Sequence, residues 1–353
     1  MSLIFDAKNI TERNKGLTFD DVLLVPQYTD ISSRKHPNLK TRLTKSFNID
    51  IPIIASNMDT VSEKKMVIAM AKLGGVAILH RFMTLEEQVI QVGEIKKYFN
   101  ENNIVSPICA SIGVKEDGKK RAQALTEAGV EILTLDIAHG DSIMMLETLA
   151  YVKKTCPSVE VIAGNIATHS AVKNLINAGA DAVKVGIGPG SMCTTRIITG
   201  HGVPQLTAIA MCVEEAKKHN IPVIADGGIR NSGDMVKALG AGANSIMVGS
   251  LVSGTLETPG EVKQGKKLYR GMASKSAQVS WRGELPKGMA AEGEATMISC
   301  KGSVVDVINE LTGGIRSGMT YMGTDSIEKM YTSSQYMEMG MSGMSESRPH
   351  GVN

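Results

Sequence analysis

The sequence predicts a (β/α)8 barrel. Three observations carry that expectation: eight short β-branched runs, helical patterns between them, and glycines where several of those helices stop. The runs are IPIIAS (51–56), GVAILH (75–80), PICASIGV (107–114), EILTLDIA (131–138), VEVIAGNI (159–166), DAVKVGIG (181–188), IPVIADGG (221–228) and NSIMVGSL (244–251). Most are nearly continuous in apolar character, as strands buried on both faces must be. Between them EKKMVIAMAKLGG, DGKKRAQALTEAG, HSAVKNLINAGAD and SGDMVKALGAGAN repeat apolar residues at helical spacing, and glycine follows where a left-handed cap is needed. Eight such units in series suit a closed barrel better than an open doubly wound sheet.

Three segments lie outside that count. Residues 1–50, with GLTFDDVLLVPQ, are an N-terminal extension. Residues 263–302 form a charged, Gly-rich excursion after the eighth strand, expected to be a mobile flap over the barrel mouth. A last helix, GSVVDVINELTGGIRSG (302–318), completes the barrel wall, and residues 331–353 are expected to be a flexible or partner-ordered tail. The chain 1–353 therefore reads as a single barrel domain, with no room between the second and third strands for an inserted regulatory domain.

Composition narrows the function classes. With 42% hydrophobic and 21% charged residues over 353 positions, disorder and fibrous repeats are excluded as the main theme. Lys+Arg at 38 against Asp+Glu at 36 leaves +2, too balanced for a partner such as nucleic acid or a membrane surface held by bulk charge. Five widely spaced cysteines without a CxxC pair argue against disulfides and zinc and for a reducing compartment. No leader-like segment or membrane-length apolar run is visible, so a cytoplasmic protein is expected.

Barrel enzymes place their chemistry at the carboxyl ends of the strands. The sharpest such end is VGIGPGSMCTTR (185–196), where Gly186, Gly188 and Gly190 allow a tight turn with carbonyls free for a cation and amides free for an anion. Cys193 at its tip is a candidate nucleophile, its thiolate favoured by the backbone nest and by Arg196; Cys109 and Cys212 read as inert core residues. IADGGI (224–229) and MVGSL (247–251) pair Gly-containing ends of strands seven and eight, where barrels commonly bind phosphate. Asp226 suits ribose hydroxyls, while Gly227, Gly228, Gly249 and Ser250 suit the phosphate, and together they spell a nucleoside monophosphate. Asp136 and His139 follow strand four, with His139 either structural or catalytic. Asn57 and Asp59 follow strand one, and Asp59 either meets the ligand or caps the next helix. Glu292 in the flap is a proton-transfer candidate, or else a solvated carboxylate.

Taken together, GLTFDDVLLVPQ, NMDTV, GPGSMCTTR, ADGG, VGS, YRGM, AEG and GGIRSG resemble the inosine monophosphate dehydrogenase / guanosine monophosphate reductase family from about residue 16 to 325. The resemblance implies that Cys193 attacks purine C2, with Thr195 and Glu292 as a proton relay. It implies a nucleotide site of Ser191, Asp226, Gly227, Gly228, Gly249, Ser250, Tyr269, Gly271, Met272 and Gly293. Asp136, Ile137, Ala138 and Arg81 would meet the nicotinamide cofactor, as would Ser317, Gly318, Met319 and Thr320 from a neighbouring subunit. Carbonyls of Gly188, Gly190 and Cys193 would hold potassium, in a homotetramer.

NMDTV and LDIAHG look like reductase versions of their loops, which points to NADPH and GMP. No Arg-Tyr pair, which the dehydrogenase flap uses to activate water, occurs in 272–296, and the nearest substitute is Trp281-Arg282. Two features depart from the reductase pattern: GGVAILHRFMTLEEQ (74–88) looks more like a dehydrogenase, and Met289 stands where reductases have Arg. The alternatives are an NAD-dependent IMP dehydrogenase lacking the regulatory insert and, from another class, a non-catalytic nucleotide-binding barrel.

Overall fold

The computed structural model describes residues 3–284, 287–349 and 351. Each of the eight predicted runs contains a strand: β1 (Ile53–Ala55), β2 (Val76–Leu79), β3 (Cys109–Ile112), β4 (Ile132–Asp136), β5 (Glu160–Ile166), β6 (Ala182–Val185), β7 (Val223–Asp226) and β8 (Ser245–Val248). They close into a parallel barrel in chain order, with β8 pairing back onto β1 through Met247 and Ile54.

The pleat explains why the runs looked apolar throughout. Ile54, Ile78, Cys109, Ile132, Ile162, Ala182, Ile224 and Met247 fill the barrel interior. Their alternates Ile53, Leu79, Ala110, Leu133, Val161, Val183, Val223 and Ile246 pack outward in the larger core shared with the helices. Both faces are dry, so alternation disappears. Part of the N-terminal extension stoppers the end where the strands begin. A short hairpin pairs Thr41–Arg42 with Asn48–Ile49 and sets Leu43, Phe47 and Ile49 against the interior cluster.

Local chemistry fixes the helix ends. Thr84 opens the helix Leu85–Glu101 with a reciprocal capping box, its hydroxyl accepting from the Glu87 amide at 3.1 Å and its amide donating to the Glu87 carboxylate at 2.8 Å. That single helix joins β2 to β3. The last helix runs Val304–Tyr321, beyond the predicted end, and packs against the helix Ser232–Gly240.

Two segments outside the barrel carry regular structure. The flap is anchored at its base: Lys266–Arg270 and Ala295–Ser299 form an antiparallel ribbon, with a helix Lys275–Arg282 between them. Buried Lys267 donates to the carbonyls of Thr255 at 3.0 Å and Thr258 at 2.7 Å, which pins that ribbon. The tail is not free along its length. Gln335–Glu338 is the central strand of a three-stranded antiparallel sheet between Ile4–Asp6 and Val22–Leu24, and Tyr336 is wholly buried. Flap residues 285–286 and tail residues 350 and 352–353 lie outside the described residues. Among the described residues, no helix is long and apolar enough to cross a membrane.

Candidate active site

The cysteine loop starts where β6 ends. Gly186 has φ +151°, and a Cβ there would lie 1.9 Å from the Asp226 carbonyl oxygen, so only glycine lets this turn cross the end of β7. The loop delivers a half-buried Cys193 whose thiol donates to the Thr195 hydroxyl at 3.1 Å. Thr195 in turn donates to the Glu292 carboxylate at 2.8 Å. Glu292 is held by its own backbone, its amide donating to Ala273 at 3.0 Å and its carbonyl accepting from Thr194 at 3.0 Å. Its side chain is half-buried and hydrogen-bonded to Thr195. The flap and the cysteine loop also meet through a bridge between Cys193 and Gly293.

The expected role of Arg196 is corrected. Its guanidinium turns to the Val203 carbonyl at 2.6 Å, and the neighbour of the thiol is Thr195 instead. Cys109 and Cys212 are buried, and burial pushes both thiols up.

A buried lysine organises the centre. On β6 the pleat puts Lys184 two residues beyond Ala182, on the barrel's interior face. Its ammonium donates to Asp136 at 2.6 Å, to Asp226 at 3.0 Å and to Asn165. Asn57 donates to the other oxygen of Asp136 at 3.0 Å, and Asn165 donates to Asp226 at 2.9 Å. Burial alone would push Lys184 down and Asp136 up. The opposite charges outweigh it, holding Lys184 above the usual lysine range and Asp136 below the usual carboxylate range. The Asp136 carboxylate is thus kept ionised at the mouth. Sequence reading missed Lys184 and Asn165; the signal was a lone lysine inside an apolar run, DAVKVGIG.

These groups open onto a cavity of about 590 Å³. Cys193, Thr195 and Glu292 line it, as do all the nucleotide-site residues named above except Gly293, and Asp136, Ile137, Ala138 and Arg81. Tyr269 is buried with its hydroxyl 3.0 Å from that of Ser191, and burial pushes its pKa up, so the phenol stays protonated. Asp59 neither lines the cavity nor caps a helix; it pairs with Arg270 at 2.5 Å. His139 is exposed and does not line the cavity.

Ser317, Gly318, Met319 and Thr320 sit on the outer helix and do not line this chain's cavity. Met319 is fully buried and Gly318 packs on Val236, so neither has a side chain to offer a cofactor. Among the described residues, no group of three His, Cys, Asp or Glu side chains is placed to hold a metal. Gly188 and Gly190 line the cavity, and the Gly190 carbonyl already accepts the Cys193 amide at 3.1 Å, keeping one lone pair.

Residues 16–350 match the model of the IMP dehydrogenase / GMP reductase domain. Inosine-5'-monophosphate dehydrogenase of Cryptosporidium parvum is 42% identical, covering 98% of this chain and 96% of that protein. The enzyme of the same name from Nitrosopumilus maritimus is 35% identical over 97% of this chain and 99% of its own length. A GMP reductase variant of Trypanosoma brucei, solved in complex with guanosine 5'-monophosphate, superposes with a TM-score of 0.90 at 32% identity, covering 97% of this chain and 99% of that one. The barrel, the placement of the cysteine loop and these matches agree: this chain belongs to the IMP dehydrogenase / GMP reductase family, oxidoreductases of purine nucleotides that use nicotinamide cofactors.

Proposed function

We propose that the chain is an NADPH-dependent GMP reductase, converting GMP to IMP and ammonia. The observation that carries this reading is the hydrogen-bonded series Cys193–Thr195–Glu292 at a cavity whose described lining residues include no adjacent Arg-Tyr pair for activating water. Tyr269 is the one tyrosine among the described lining residues, and it is a protonated phenol tied to Ser191. Hydrolysis of a purine adduct lacks the Arg-Tyr pair here, whereas expelling ammonia needs only the proton that Glu292 receives.

In this reading the Cys193 sulfur bonds to purine C2 while its proton passes through the Thr195 hydroxyl to Glu292. Glu292 gives that proton to the exocyclic amine, the C2–N bond breaks, and ammonia leaves a thioimidate on sulfur. NADPH, when bound, supplies hydride to C2. The C2–S bond then breaks with its electron pair on sulfur, IMP departs, and the thiolate is reprotonated from solvent through Glu292 and Thr195.

Asp226, fixed by Lys184 and Asn165, accepts from ribose hydroxyls, and Ser191, Gly227, Gly228, Gly249 and Ser250 hold the phosphate. Asp136, Ile137, Ala138 and Arg81 orient the nicotinamide half. Carbonyls of Gly188, Gly190 and Cys193 would hold potassium, whose preference for neutral oxygen donors they suit. Ser317 and Thr320, on the outer helix, fit a cofactor contact made across subunits of a homotetramer, and free thiols fit the cytoplasm.

The second reading, NAD-dependent IMP dehydrogenase, is favoured by the names of the relatives at 42% and 35% identity. Absorbance of reduced nicotinamide separates the two. It should fall with GMP and NADPH, with ammonia released, and stay flat with IMP and NAD; the reverse pattern overturns the reductase reading. Intact mass during turnover should show a purine on Cys193 that Cys193→Ala abolishes.

A further inference from the structure

Four cationic side chains line the cavity, and among the described residues two of them make no salt bridge. Lys184 is paired with Asp136 and Asp226, and Arg230 with Asp20 and Asp234. The remaining lining carboxylate, Glu292, accepts from Thr195. That leaves Arg81 and Arg282. Among the described residues neither has a carboxylate within 4.0 Å or a hydrogen-bond acceptor.

The two come from separate elements and are brought to one rim by an aromatic stack. Arg81 follows β2, with its guanidinium 5.2 Å from the centroid of the Phe82 ring. Arg282 ends the flap helix, whose Trp281 stacks on Phe82 with centroids 5.7 Å apart. Burial pushes Arg81 down; the charge of Asp136, itself already bonded to Lys184, opposes that, while the charges of Arg282 and Arg121 add to it. Unpaired like charges facing a cavity are unfavourable until an anion joins them. Met289 and Ala290, which line the cavity beside them, bring no charge.

We propose that Arg282, together with Arg81, forms an anion subsite that takes a phosphate of the dinucleotide cofactor, making Arg282 a determinant of cofactor affinity. The inference rests on the nicotinamide-dependent reading of the cavity.

The one tryptophan of the chain, Trp281, adjoins Arg282, so its fluorescence reports the subsite without turnover. With GMP present to fill the other phosphate site, inorganic pyrophosphate should shift Trp281 emission saturably, with an affinity that weakens as salt is added. Arg282→Gln should weaken that binding about tenfold, and Arg282→Lys by less. In steady-state assays Arg282→Gln should raise KM for the cofactor more than it lowers kcat. A rise for NADPH alone assigns the 2′-phosphate to the subsite, and an equal rise for NADPH and NADH assigns the bridging pyrophosphate. Pyrophosphate that titrates wild type and Arg282→Gln alike, or a cofactor KM unmoved by the substitution, overturns the proposal. Failure of the reductase reading is distinguishable, because it leaves the fluorescence titration intact and moves the KM measurement to IMP and NAD.

Discussion

Lys184 holds two carboxylates of the cavity at once, so removing its charge takes the ion-pair partner from both. Breaking a buried ion pair from one side costs about 3–5 kcal/mol, and Lys184→Met should lose that much in chemical denaturation at neutral pH. The pH dependence has a definite sign. Asp136, depressed in the fold, contributes stability above the ordinary Asp range and loses it as pH falls through its folded value. Lys184, raised in the fold, contributes below the ordinary Lys range and loses it as pH climbs through its folded value. Between about pH 5 and pH 9 the pair's contribution is flat. The deficit of Lys184→Met should therefore shrink in acid as the stranded Asp136 carboxylate protonates; a deficit constant with pH would reduce Lys184 to a packing residue. At Glu292 the effect is on rate. Glu292→Gln keeps the hydrogen bond from Thr195 but cannot accept its proton, and kcat should fall by about 10²–10⁴ with little change in GMP binding, measured by single-turnover kinetics.

At the scale of elements, the site depends on a loop and a ribbon meeting over the barrel. The loop from Val185 to Cys193 crosses β7 so closely that Gly186 has no space for a methyl group, and the clash would be with backbone, which does not yield easily. Gly186→Ala should displace Cys193 from Thr195 and lower kcat/KM by about 100-fold, since an ångström of misplacement costs that much. Its melting temperature should fall much less than its activity; full activity in this variant would show the loop to be looser than its contacts imply. The glycines of this loop were legible as a tight turn before any fold was known. That Arg196 turns away to Val203 was not, because its direction depends on the chain five to seven residues further on.

Over the whole molecule, the two ends of the chain stabilise each other. Phe5 and Tyr336 stack with centroids 6.0 Å apart, and the Tyr336 hydroxyl donates to the Lys237 carbonyl at 2.8 Å. Tyr336→Ala empties a fully buried site and should cost about 3–5 kcal/mol. Thermal unfolding checks this, and a loss under 1 kcal/mol would mean that the terminal sheet is peripheral. The composition of the tail, rich in Met, Ser and Gly, gave no sign of this role, since the strand Gln335–Glu338 finds its partners more than 300 residues away.

The eight barrel strands, the cysteine turn and the glycine ends of β7 and β8 were determined by the sequence alone, because each is a local matter: period, turn residues and apolar runs act within a few positions. The family pattern further picked out Thr195 and Glu292, which are 97 positions apart. Only the closed barrel decided what joins distant segments. It brought Lys184 to Asp136 and Asp226, and Trp281 to Phe82, because charge pairing and ring stacking depend on distance in space, and distance in space is set by strand register and closure.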